Sequence, residues 1–280
     1  MQPPLIVLPK PQTLFQQRAA RFRELAKAHA SLSDYLNLMA ELADCQHTLA
    51  KNFLDTLFPV AYSKSPVDIS NWQPDSVWRE ALHLIVEHFK PEDGPLALIR
   101  NRIHQAKDDE LETWADWLLT GEVESLDPGL APFLGTALQT YWVSLAARLD
   151  VEKIRPPEIA YVCPVCGSLP VASVLQTGGS IQGLRYLCCG LCATEWNRTR
   201  IDCIHCATSK GMAYFGVEGK GDVVKAEACS ECNIYIKLMN REKMFNLDPC
   251  ADDLATLSLD MLMAEEGYQR LGFNLCLIAV

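Results

Sequence analysis

A Cys-x-x-Cys pair occurs four times in the last 120 residues, at Cys163/Cys166, Cys189/Cys192, Cys203/Cys206 and Cys229/Cys232. Adding 40 to 163, 166, 189 and 192 gives 203, 206, 229 and 232, so one two-knuckle unit occurs twice. Within each unit 22 residues separate the two pairs. A tetrahedral metal needs four thiolates at about 2.3 Å, and a tight Cys-x-x-Cys turn supplies two at a time. Each unit therefore holds the ligands for one metal ion, the first site being Cys163, Cys166, Cys189 and Cys192 and the second Cys203, Cys206, Cys229 and Cys232. A cross-brace, in which the first and third pairs share one metal, is the alternative. Duplication of the whole unit favours sequential pairing, and a 22-residue hairpin closes at modest entropic cost.

Bulk properties exclude several function classes. The net charge is −10, and both halves are acidic: 15 basic and 22 acidic side chains in residues 1–160, then 10 and 13 in 161–280. A nucleic-acid or anionic-lipid surface needs the opposite footprint. The start, Met1-Gln2-Pro3-Pro4, has neither the basic nor the apolar region of a secretory signal, and no apolar run reaches a membrane-spanning length. Twelve cysteines without an export signal point to the reducing cytoplasm and to metal or redox chemistry.

Residues 1–155 read as an all-α domain. Phe15, Ala19, Phe22 and Leu25/Ala26 recur at helical steps, with Arg18, Arg21 and Arg23 between them. Ser33 is a candidate N-cap for a second helix through Leu36, Met39, Ala43 and Leu54. Asp75 or Ser76 caps a third, with Val77, Trp78, Leu82, Ile85, Val86 and Phe89. Pro95 opens another through Leu98, Ile99 and Ile103. Asp108, Asp109 and Glu110 occupy the first turn of a helix ending at Gly121, and Ala131-Pro132 starts the last. The prolines at 156 and 157 stop helical structure and mark the domain boundary.

Beyond it, residues 160–200 and 201–245 form the two metal units, with β-type runs at 170–175 and 234–238. Glycine clusters at 178–179 and 219–221 sit where each hairpin has to turn. Residues 250–280 are the closing helix and tail, with the helix expected from Asp252 to about Glu266.

Four cysteines fill a tetrahedral shell, so neither metal is poised to activate water, and no catalytic residue is assigned. Zinc would be structural; iron in the same S4 shell could cycle one electron, and geometry alone does not separate the two. Cys45, Cys250 and Cys276 read as buried small hydrophobes. Cys188 adjoins a ligand, but the 40-residue register sets Ala228 opposite it, which argues against a metal role. His205 reads as a turn residue. Tyr161, Trp196 and Tyr235 are candidates either for a contact surface near the joint between domains or for ribbon core.

The stretches Tyr161–Val171, Gly183–Trp196 and Lys225–Cys232 resemble the knuckles of the formate dehydrogenase accessory protein family, FdhE. Similarity extends to Ala251–Asp260 with Glu266-Gly267-Tyr268, and to Arg23–Ala26 with Asp34-Tyr35-Leu36. Cys188 stands where relatives are expected to have histidine. The resemblance implies an α+β chain: an all-α domain, two tandem rubredoxin-like or zinc-ribbon units and a C-terminal helix. It implies a non-catalytic cytoplasmic maturation factor that contacts the formate dehydrogenase catalytic subunit before export. It also favours two iron ions over zinc. A one-electron redox role on that client and a zinc-ribbon nucleic-acid or protein adaptor are the rival readings. Acidity and scattered basic residues count against nucleic acid, and membrane insertion is not expected.

Overall fold

The computed structural model describes residues 3–53, 65–73, 75–89, 93–176, 183–219 and 221–277. Its amino-terminal half is helical: α1 (Pro11–Ala28), α2 (Ser33–Phe53), α3 (Ser76–His88), α4 (Gly94–Gln105), α5 (Asp108–Thr120) and α6 (Ala131–Ala146). Asp75 caps α3, its carboxylate accepting from the Val77 N–H at 2.9 Å. Gly121 closes α5 in the left-handed region at φ 83°, where a side chain would be strained. Ser33 is the first residue of α2 rather than its cap, and the expected continuation through Leu54 lies outside the described residues. Every residue of α6 is buried, so α6 is the axle around which the other helices and the sheet pack. Leu98, assigned to an inner face by its spacing, is 71% exposed.

The second half is built on one sheet. Its strands are β1 (Ile6–Val7), β2 (Pro170–Gln176), β3 (Leu184–Cys189), β4 (Glu195–Arg198), β5 (Met212–Phe215), β6 (Val224–Cys229), β7 (Ile234–Asn240) and β8 (Gln269–Arg270). The 40-residue displacement survives in three dimensions: β3 plus 40 is 224–229, the span of β6. The spatial order is β1-β4-β3-β2-β7-β6-β5, with β8 beside β7. Each unit is thus an antiparallel three-stranded meander, and the two are joined where β2 runs parallel to β7, Ser173 opposite Leu238. The amino-terminal segment crosses into this half, β1 pairing with β4 through Ile6 and Trp196. The glycine cluster at 178–179 lies outside the described residues; Gly219 and Gly221 sit at φ 76° between β5 and β6.

The closing helix expected from Asp252 is two helices, α7 (Pro249–Leu254) and α8 (Leu257–Glu265). Thr256 interrupts them, its hydroxyl donating to the carbonyls of Asp252 and Asp253 at 2.7 and 3.2 Å. Charge holds α7 to the helical half. Arg18 and Arg21, which α1's pattern set among its polar positions, are buried and pair with Asp248 at 3.1 Å and Asp252 at 2.6 Å. A third buried cation, Lys237 on β7, lies 2.9 Å from Asp253 and 2.6 Å from Asp260. Arg270 reaches Asp253 from the tail at 2.6 Å. Such groups leave water only because each meets an opposite charge.

Candidate metal centre

Each Cys-x-x-Cys turn is closed by the same backbone device. The residue after the second cysteine takes a positive φ: Gly167 at 74°, Ala193 at 55°, Ala207 at 58° and Asn233 at 56°. The amide at this position donates to the carbonyl of the first cysteine in three knuckles, at 3.0 Å from Gly167, 2.9 Å from Ala207 and 2.8 Å from Asn233. The first cysteine's own amide donates onward, Cys163 to Ser168, Cys189 to Thr194 and Cys203 to Thr208. Only one of the four positions is glycine. A left-handed alanine costs about 1 kcal/mol relative to glycine. Ala207→Gly is therefore expected to raise the thermal unfolding midpoint of the metal-loaded chain; a fall would show that the alanine methyl makes a contact worth more than the strain.

These turns bring the thiols together in two sequential groups. Cys163, Cys166, Cys189 and Cys192 lie with all Sγ atoms within 4.8 Å of one another, and so do Cys203, Cys206, Cys229 and Cys232. A tetrahedron of 2.3 Å metal–sulfur bonds has sulfur edges of about 3.8 Å. The edges here are 3.5 Å for Cys163–Cys192, 3.4 Å for Cys166–Cys189 and 3.7 Å for both Cys203–Cys232 and Cys206–Cys229. The donor set therefore fits a single thiophilic ion in each group. In the first group the amides of Leu191 and Cys192 point at Cys189 Sγ, each at 3.4 Å, as hydrogen bonds to a coordinated sulfur do.

Without a cation the thiols within each group do not ionise alike. Burial pushes the Cys163 and Cys166 thiols well above their ordinary range. Burial opposes ionisation of Cys189 as well, but hydrogen bonds from the other three thiols outweigh it and hold that group well below. In the second group burial pushes Cys232 up to about 12, while a backbone hydrogen bond at Thr208 draws Cys206 down. Adjacent thiolates compete for ionisation, and a bound cation is what allows all four to ionise.

The two sites differ in setting. All four thiols of the first are buried, packed in the main core, and the turn carrying Gly190 is held by the Gln139 side chain of α6 at 2.8 Å. The backbone of residues 67–69 pairs with this site's other turn, Val67 to Val165 and Ile69 to Cys166, both at 3.0 Å. The second site projects from the sheet with Cys206 exposed and Cys232 half-buried. Chelation is accordingly expected in two phases. After exposure to a chromogenic chelator, alkylation mapped by mass spectrometry should mark Cys206 and Cys232 before Cys163 and Cys166; the reverse order would contradict this reading.

Among the remaining cysteines Cys45, Cys188, Cys250 and Cys276 are buried and belong to neither group. His205 lies tilted against Tyr161 with ring centroids 5.1 Å apart and is likewise outside the donor set. Trp196 and Tyr235 are 1% and 3% exposed, which removes both as surface contacts and leaves Tyr161, half-buried, at the joint. Sequence spacing did not reveal the supports supplied by Gln139 and by residues 67–69, because they approach from elements far away along the chain.

Fold and site together define a two-centre thiolate ribbon protein with a helical domain packed on its first centre. Family models described as FdhE, N-terminal, FdhE, central domain, and FdhE, C-terminal domain match residues 3–158, 162–200 and 201–277 respectively. The chain belongs to the FdhE family. A protein named as an FdhE homolog in Cronobacter sakazakii is 37% identical over 97% of this chain and 90% of its own. Protein FdhE of Salmonella arizonae is 36% identical over 98% of this chain and 91% of its own. The crystal structure of the FdhE protein from Pseudomonas aeruginosa superposes with a TM-score of 0.85 at 32% identity, covering 98% of this chain and 99% of that one.

Proposed function

We propose that this chain is a non-catalytic accessory factor that binds a formate dehydrogenase catalytic subunit in the cytoplasm and prepares it before export. Full-length family membership is the observation that supports it most: relatedness runs through the helical domain and both ribbons, not the knuckles alone. The site supports the non-catalytic part of this reading. The four thiols of each group would hold one ion in a complete tetrahedral shell and leave no position for water or substrate. Bound metal would supply crosslinking of the knuckles, and iron would add a one-electron couple. The chain's own residues hold the first centre inside the core. Among the described residues no helix is long and apolar enough to cross a membrane, consistent with a partner met in solution.

The test is co-purification of the tagged chain with the catalytic subunit, together with formate dehydrogenase activity in cells lacking this gene. Recovery of the complex and of activity on re-expression is the expected result. Normal formate dehydrogenase maturation without the chain would reject the reading.

A redox variant of this function draws on the exposed second centre, since electron transfer needs a centre near the surface. Substituting zinc for iron separates the variants: a redox factor would bind its client and fail to mature it, whereas a structural one would do both.

A further inference from the structure

We propose that the outer face of the sheet, at the seam between the two metal units, holds a binding site for a divalent oxyanion of the phosphate class. Side chains alternate across a strand, so Lys237 faces α7 and α8 while Leu238 and Asn240 face the other way. On that other face lies a cavity of about 210 Å³. It is bordered by Arg185 and Arg200 from the first unit and Lys225 and Lys243 from the second, with two carboxylates, Asp222 and Glu227. Four cations and two anions leave the lining at +2, in a chain whose net charge is −10.

The carboxylates do not neutralise the lining. Asp222 is taken by Lys243, and Glu227 lies 3.0 Å from Arg185, although its Oε1 makes no hydrogen bond. Arg200 and Lys225 have no ion-pair partner among the described residues, although each feels the field of a neighbouring carboxylate. Arg185 carries the second, independent sign of a ligand. Its side chain is 1% exposed and anchored, Nε donating to Ser173 at 2.9 Å and one terminal nitrogen to the carbonyls of Thr199 and Asp202 at 3.2 and 3.1 Å. Its other terminal nitrogen is buried with no acceptor. A buried charged donor without an acceptor is costly, and an oxyanion bound in the cavity that Arg185 borders would supply one. The apolar wall of Leu175 and the ring of Tyr214 leave room for a small organic group on the phosphate. Because the cations come from both units, a bound dianion would tie them together across β2 and β7.

The probe is inorganic phosphate, titrated into the full metal-loaded chain at constant ionic strength and followed by calorimetry and thermal unfolding, with chloride as the reference anion. Saturable one-to-one binding that raises the unfolding midpoint is expected. Phenyl phosphate in a parallel titration reports whether an ester is preferred over the free ion. Arg200→Ala and Lys225→Ala remove solvent-reaching cations without opening the core, and each should weaken binding at least about tenfold. Lys107→Ala, far from the cavity in sequence and on the helical half, should leave it unchanged. The proposal is overturned by three results: no saturable binding, binding indifferent to Arg200→Ala and Lys225→Ala, or equal weakening by Lys107→Ala, the last showing diffuse attraction only.

Discussion

Cys163→Ser is expected to remove the metal of the first centre and the solubility of the whole chain together. Structural metal contributes on the order of 10 kcal/mol to a small thiolate site, comparable to the total stability of a domain. Serine also leaves a hydroxyl with no ion to meet at a position that is 0% exposed. This centre lies in the core shared by α6 and the strands, so its loss cannot be confined to one hairpin. Cys206→Ser makes the comparison informative. Its site stands at the surface, and its loss should loosen the second unit while α1–α6 keep their packing. Metal per chain, soluble yield and near-ultraviolet circular dichroism measure the difference. A soluble, native-like Cys163→Ser chain retaining one metal would show that the first centre does not support the fold.

Asp253→Ala is expected to cost about 3–5 kcal/mol, because it strips the partner from charges that stay buried. Asp253 is 0% exposed and receives Lys237 at 2.9 Å, Arg270 at 2.6 Å and the Asn274 amide at 3.1 Å. Burial works against its ionisation, but Lys237 and Arg270 outweigh burial and hold the carboxyl below the ordinary 3.8. A carboxylate with a depressed folded pKa binds its proton more readily in the unfolded chain. Its stabilisation is therefore complete above about pH 5 and is lost as pH falls through the unfolded and then the lower folded value. Denaturant unfolding should show the wild type flat from neutrality to about pH 5 on this account and weakening only below it. The variant should be weaker throughout and lack that part of the acid slope. A difference confined to neutral pH, with equal acid slopes, would place the effect elsewhere.

What could be read from the chain alone follows the range of the interactions. Periodicity located α1, α3, α5 and α6 because a helix buries one stripe, or in α6 its whole surface, and local spacing encodes that. The 40-residue repeat revealed the grouping of the eight thiols, since a duplicated hairpin carries its own donors. Long-range pairing was not legible. Arg18 and Arg21 look solvated until Asp248 and Asp252, some 230 residues later, are known to lie against them. The β2–β7 junction and the β1–β4 pair are likewise contacts between segments with no shared pattern. Thr256 broke a helix that its apolar neighbours would have continued. The contrast between a buried and an exposed centre was invisible, because the two units are alike in spacing and differ only in what packs on them.

The parallel junction between β2 and β7 also bears on how edges of the sheet could meet. It is a head-to-tail contact: the last strand of one unit lies on the first strand of the other, and nothing in such an arrangement makes it stop at two. Repeated between molecules, β4 of one copy would seat on the open side of β5 in the next, and a filament would grow. Two-residue β1, lying along β4, occupies the position an incoming copy would need. The short amino-terminal strand thus covers, at Trp196 and Glu195, the β4 edge that such a contact would need.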